Sequence, residues 1–264
     1  AVPDERARLR EVLPPHVRLL AEKIETEEEF HQAMEDGYVL FQGYFFCKPV
    51  VLYKQRLTNN ELSRIRLLKE VNRPNFDFNA ITDVIAADTS LVHKLLTYIN
   101  SVGIGLSHYV SNLRQAAVLL GASGIRSWVT LISLQTFSED KPSELFTLSL
   151  LRAKFCELIA RRLNRRDLTP DTGFLLGMFS LIDVLLNQPM AEVLKEITLA
   201  DELNAALLGE DNDLRRLLDL VISYEQGDWS SVAACCEHEH IPLGEISPIY
   251  DEVLEWYNKL QTVC

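Results

Sequence analysis

The densest group of chemically capable side chains in this sequence is Cys235-Cys236-Glu237-His238-Glu239-His240. Thiolate and imidazole are zinc ligands. On a helix Cys236 and His240 share a face at i, i+4, and Cys235 and His238 do so more loosely at i, i+3. Zinc sites, however, usually draw ligands from two separated segments, and no second Cys/His group is visible, so the cluster reads as a helix surface. Gly103-Ile104-Gly105 lacks the third glycine, the lysine and the preceding strand of a phosphate-cradling loop. No Gly-x-Ser-x-Gly turn and no Cys/His nucleophile arrangement occurs. His93, inside an apolar helical run, reads as a surface or hydrogen-bonded imidazole, not a base. Two basic clusters, Arg6 to Arg10 and Arg161 to Arg166, suit helix ends, where cations complement the negative pole of the helix dipole.

The elements that would have to position any site have two textures. Val17–Ala21 is a short apolar run with the character of a buried strand. Thr26-Glu27-Glu28-Glu29 is a capping box that predicts a helix through Asp36, with Gly37 as its left-handed stop. Val39–Phe41 and Gly43–Phe46 are β-branched or aromatic and read as a second strand. One such βαβ unit leaves edges and faces open, so it needs a larger sheet or a neighbour to lean on. From Thr58 onward the period is helical. Thr58-Asn59-Asn60-Glu61 opens a helix with Leu62, Ile65, Leu68 and Val71 on one face, and Asn72-Arg73-Pro74 breaks it. Phe78, Ile81, Val84 and Ile85 mark the next face. Asp88-Thr89-Ser90 and Ser111-Asn112 are further caps, the latter for a helix ending at Gly121. Later helices are expected over 125–137, 144–163, 172–186, 189–197, 200–208, 214–224 and 246–260, with short antiparallel connections.

The chain has 264 residues, 47% apolar and 24% charged, with a net charge of −12. That is an ordinary globular balance, and its acidity disfavours a nucleic-acid role. The 5 cysteines are scattered and form no Cys-x-x-Cys pair, which suits a reducing, cytoplasmic setting. No apolar run looks long enough to cross a bilayer, and the first residues lack the order of a signal peptide.

Two stretches resemble known families. Ala21-Glu22-Lys23-Ile24-Glu25-Thr26, then Phe41-Gln42-Gly43-Tyr44-Phe45-Phe46 and Lys48-Pro49, resemble the closing section of EAL domains, the cyclic-di-GMP phosphodiesterases, in type and spacing. Roughly Asn60 to Tyr257 resembles the HDOD domain. The carrying segments are Ile85–Leu96, Tyr98-Ile99-Asn100-Ser101, Gln115–Gly121 and Gly124-Ile125-Arg126-Ser127-Trp128. The pairing is similar to the EAL-plus-HDOD signalling proteins of bacteria. The fold this implies is mainly α: an HD-like (HDOD) helical domain over 57–264, preceded over 1–56 by a short α/β remnant of an EAL TIM-type barrel.

The resemblance also carries expectations about chemistry. EAL enzymes hydrolyse a phosphodiester with two metal ions held by several carboxylates. Here Glu22, Glu25 and Gln42 match family positions, whereas the Glu-Ala-Leu signature, the Asp-Asp pair and the Lys are missing, so these three read as vestigial. HDOD resembles the HD phosphohydrolases, whose His-Asp pair binds metal. A helix over Gly177–Val184 stands where that pair belongs. Ser180 falls at the His position, Leu181 at the Asp position and Arg152 at the upstream His position. Asp183 is left as one carboxylate in an apolar helix, expected to bond Arg152 or another buried donor. The expectation is therefore a chain that is not an enzyme, with no metal and no cofactor. It would act as a signal-transduction and protein-interaction module in cyclic-di-GMP signalling, bound to a partner protein or to itself as a possible homodimer, with no nucleic acid and no membrane. The alternatives are a metal-dependent phosphohydrolase or phosphodiesterase, and a cyclic-dinucleotide sensor that binds without cleaving, with Arg64, Arg66 or Arg126 supplying charge.

Overall fold

The computed structural model describes residues 14, 17–24, 26–43, 57–73, 76–101, 109–139 and 141–261, and the chain divides into two units, Ala1–Tyr53 and Lys54–Cys264. In the first unit β1 spans Leu20–Ile24, α1 Glu27–Glu35 and β2 Leu40–Gly43. The Thr26 hydroxyl accepts the Glu29 amide at 3.1 Å and so starts α1, and Gly37 follows its end at φ 83°. The strands pair in parallel, Leu20 opposite Leu40 and Ala21 opposite Phe41, with an irregularity before Ile24 meets Gly43. Lys23, at φ 59°, sits inside that irregularity. Gly43 is required there, because a Cβ would lie 2.0 Å from the Ile24 carbonyl oxygen. A small core of Ala21, Ile24 and Ala33 is covered by Phe30, Tyr38 and Phe41, and the Phe30 and Phe41 rings meet edge-on at 4.7 Å. Leu20, Val39 and Leu40 stay exposed, so one face of the strand pair is open within this unit. The first strand begins three residues later than Val17, since the backbone of Val39 and Leu40 pairs with Leu19. Residues 44–56, where the second strand was expected to continue, lie outside the described residues.

The second unit is helical throughout its described residues. Its helices are α2 Asn59–Val71, α3 Phe78–Ala86, α4 Thr89–Ser101, α5 Leu113–Phe137, α6 Ser143–Leu163, α7 Pro170–Phe179 and α8 Ile182–Leu186. They continue as α9 Met190–Glu196, α10 Asp201–Leu207, α11 Asp213–Gln226, α12 Trp229–Glu239 and α13 Leu243–Gln261. The capping box at Thr58 is complete: its hydroxyl accepts the Glu61 amide at 3.2 Å, and the Glu61 carboxylate accepts the Thr58 amide at 2.6 Å. Asp77, Asp88, Asn112, Thr169, Asn212 and Asp228 cap the starts of α3, α4, α5, α7, α11 and α12. Within α5, Gly121 (φ 65°, ψ −175°) breaks the helix, which is the stop expected there. By length and composition α5 could cross a membrane, contrary to the sequence reading. Its break and the burial of Ile125, Trp128, Val129, Leu134 and Phe137 in this unit's core account for that apolarity.

The helix expected over 172–186 is two helices. α7 stops at Phe179 and α8 begins at Ile182. Ser180 ends α7 as its hydroxyl donates to the Gly177 carbonyl at 2.7 Å, and Leu181 leaves the helical region (φ −124°, ψ 14°) between the two. No span was predicted for α12, although its Cys235–His240 end was read on a helix.

The closest seam in the unit joins α6 and α7. Gly173 and Gly177 line it. A Cβ at Gly177 would lie 2.4 Å from the Ala153 nitrogen, and one at Gly173 2.7 Å from the Cys156 carbonyl oxygen. Two glycines one turn apart thus let the α7 backbone lie directly on α6, as small-residue seams do.

Candidate functional site

That seam places the end of α7 over Arg152, in the middle of α6. Arg152 is 5% exposed. Its Nε donates to both Glu225 carboxylate oxygens, at 2.9 and 3.1 Å, and its Nη1 donates to the Ser180 hydroxyl at 3.2 Å. Glu225 comes from the last turn of α11, and its side chain is 6% exposed. One guanidinium therefore ties α6, α7 and α11 together inside the unit. Phe155, Tyr224 and Tyr250 wall the pair, with ring centroids 5.1 to 5.2 Å apart. Burial pushes the Glu225 carboxyl up to about 7, and the facing Arg152 offsets this without cancelling it. Burial also raises Asp183, against backbone N–H donors at Val184 and at Asp183 itself and then the Arg152 charge. The Cys156 thiol is driven far above its ordinary value by burial, so it stays protonated.

The structure thus gathers Arg152, Ser180 and Asp183 near one another, with Leu181, 4% exposed, beside them. Of the two kinds of partner expected for Asp183, it has the second: Arg152 bonds Glu225 and Ser180, and Asp183 takes backbone amides. Glu225 was missed by sequence reasoning. The signal was present, because Glu225 lies i+4 from Val221 on the face that buries Leu214, Leu217, Leu218 and Val221. A carboxylate on a core face needs a buried cation, and Arg152 is that cation. Among the described residues no group of three or more His, Cys, Asp and Glu side chains is placed to hold a metal ion. The chemistry of this cluster is that of a buried ion pair in which one N–H is shared by both carboxylate oxygens: it fixes helix positions and holds one proton of adjustable affinity.

The other sequence candidates are dispersed. Glu22 is exposed on β1, and Gln42 lies on β2. Glu25, Gly103, Gly105 and the Arg6 to Arg10 cluster lie outside the described residues. Cys236 is buried under α12 and His238 is exposed, while His240 is the left-handed residue (φ 56°) that ends α12. The shared helical face expected for Cys236 and His240 therefore does not form. Arg161, Arg162 and Arg165 are taken up by acids: Glu157 for the first, Glu245 and Glu252 for the second, and Asp167, Asp213 and Glu239 for the third. Arg126 donates to the Val71 carbonyl at 2.9 Å and lies 5.4 Å from the Phe76 ring centroid, so it works as a tie between α5 and α2.

Comparison with known proteins adds a family. The HDOD domain model matches residues 62–211. Uncharacterized protein YuxH of Bacillus subtilis (strain 168) is 38% identical over 245 residues, which is 91% of this chain and 59% of that protein. Cyclic di-GMP phosphodiesterase CdgJ of Vibrio cholerae serotype O1 is 36% identical over 239 residues, 90% of this chain and 55% of that protein. The chain spans a little over half the length of these curated relatives. No solved structure matches. The second relative corrects the expectation that the chain is not an enzyme, because a protein this similar over 90% of the chain is named for an enzymatic activity. Several metal ligands of the EAL and HD families are missing from this sequence. Such ligands converge from distant parts of a fold, so their absence from one stretch does not decide the activity of the protein that contains it.

Proposed function

Because the chain belongs to the HDOD domain family, we propose that it works in cyclic di-GMP turnover, its helical unit relaying a signal to phosphodiester hydrolysis through contact with a partner protein or a second copy. The observation that carries this reading is the 36% identity, over 90% of the chain, with a protein named a cyclic di-GMP phosphodiesterase. The first unit supports it in detail. Two parallel strands joined by a helix, with one apolar face uncovered, are what the closing part of an EAL barrel would contribute. Glu22 and Gln42 would then stand on neighbouring strands of that barrel. Among the described residues no group of three or more His, Cys, Asp and Glu side chains is placed to hold a metal ion there, too few ligands for the two metal ions EAL enzymes use. The free thiols of Cys156, Cys235 and Cys236 support a reducing, cytoplasmic setting.

The test is genetic and chemical together. The native protein is replaced in its own cell by Glu22→Gln, and the intracellular cyclic di-GMP level is measured beside wild type and a deletion. Glu22→Gln is expected to raise the level as far as the deletion does. A deletion that leaves the level unchanged would overturn the role in turnover. A raised level in the deletion with a wild-type level in Glu22→Gln would overturn the assignment of the first unit.

A further inference from the structure

A cavity of about 750 Å³ opens between α4, α5, α6 and α13, bounded by side chains other than those of the Arg152 cluster. That volume lies in the range of small-molecule sites. Its walls are mostly apolar, and the Phe146 ring among them is only half-buried, so it presents a flat surface to whatever enters. The charges on the wall do not add up to one sign. Glu139 answers Lys94, and Lys141 already holds an interaction of its own. Lys94 donates to the Gln135 side-chain oxygen at 3.2 Å.

Two hydroxyls supply the second observation. Thr147 of α6 and Tyr257 of α13 both line the cavity, both are half-buried, and their oxygens lie 2.9 Å apart. The Gln261 side-chain amide donates to the Tyr257 oxygen at 2.6 Å. Two hydroxyls bring two hydrogens, and their mutual bond uses one. Whichever of them donates, one O–H is left with no acceptor among the described residues. A spare donor set in an apolar wall beside an open ring face is the kind of group that orients a ligand. We propose that this cavity binds a small, uncharged, planar aromatic molecule bearing a carbonyl oxygen or ring nitrogen, its ring against Phe146 and its acceptor on the spare hydroxyl of the Thr147–Tyr257 pair. The site gives the helical unit an input of its own: α4, α5, α6 and α13 all border the cavity, so occupancy biases their packing. This inference does not rest on cyclic di-GMP turnover, and the two can fail separately.

Prodan, an uncharged fluorescent naphthyl ketone, tests it on the full chain beside the same body with its carbonyl reduced to methylene. Prodan is expected to bind once per chain with a blue-shifted emission. Thr147→Val with Tyr257→Phe removes both hydroxyls and keeps the shape of the wall. It is expected to weaken prodan about fivefold or more and to leave the reduced body within about twofold. Thr97→Trp, which places a ring in the cavity from α4, is expected to remove both. The near-isosteric double variant stays readable even if Thr97→Trp fails to fold. Unsaturable binding, an unchanged prodan affinity in the double variant, or equal weakening of both bodies would overturn the proposal and leave a cavity that holds water alone. A naphthalene sulfonate that displaces prodan and binds more tightly would overturn the choice of an uncharged ligand.

Discussion

At the scale of single residues, Arg152 and Glu225 hold the helical unit's most deeply buried charges. Removing one of them strands the other. Arg152→Met is expected to cost about 3–5 kcal/mol at neutral pH, read as a shift in the denaturation midpoint, while Arg152→Met with Glu225→Leu recovers most of the loss. Full additivity of the two changes would show that the pair carries no coupling. The pair also makes stability depend on pH with a definite sign. Burial pushes the folded Glu225 carboxyl up to about 7, from an ordinary value of 4.5. Between those values the folded state holds a proton that the unfolded state releases, so this contribution is fully present below the unfolded value and is lost as pH rises towards about 7. The unfolding free energy from urea titrations across that interval should fall by an amount on the order of 3 kcal/mol in wild type. Glu225→Gln keeps the shape without the titration and should flatten the profile; an identical slope in the variant would place the titration elsewhere. Thr58 and Glu61 show the opposite degree of legibility. A capping box is a contact three residues apart, so the sequence contains all of it, whereas Arg152 and Glu225 lie 73 residues apart and meet only through packing.

At the scale of elements, most helices are where periodicity and caps put them, because an amphipathic stripe and an N-cap are local properties. Two exceptions have physical causes. The run from Thr172 to Leu186 is apolar almost all round, so its period could not reveal the break that the Ser180 hydroxyl makes at the Gly177 carbonyl. α12 is rich in small residues, Ser230-Ser231-Val232-Ala233-Ala234, and its face is short, with Val232 and Cys236 the buried members. The α6–α7 seam was not visible either, since a glycine inside a helix does not say which helix it will face. The seam predicts a sharp steric response. Gly177→Ala forces a methyl onto the Ala153 backbone and should cost about 2 kcal/mol, lowering Tm by roughly 4–8 °C. Gly227→Ala tests the other use of glycine. It has a left-handed φ of 69° with open space around it, so its loss is conformational and should be nearer about 1 kcal/mol. Equal losses at the two sites would mean that close helix approach is not what Gly177 provides.

At the scale of the molecule, the two units differ in what holds them. Among the described residues the first rests on three buried side chains and a few covering aromatics, and the second on a continuous core that fully buries Trp128, Phe137, Phe155 and Phe179. Stability tracks buried apolar area, so the units should open at different free energies. Hydrogen exchange is expected to release the amides of β1 and β2 well before those of α6 and α7. Simultaneous exchange would show that the first unit draws its stability from outside its own core. The open strand face has the same origin: two parallel strands cannot cover themselves, whatever their sequence.

What the amino-acid order determined alone is everything carried by near neighbours. That covers the switch from a strand–helix–strand opening to a helical chain, the caps, the stop at Gly121, and the segments whose resemblance pointed to the HDOD family. Only the tertiary structure decided which charged groups share an interior, where α7 ends and how closely two helices lie. The reason is range. Local hydrogen bonds and helical periodicity act across a few residues and leave their pattern in the sequence. Burial and desolvation act between segments far apart in the chain, so their partners exist only once the helices have packed.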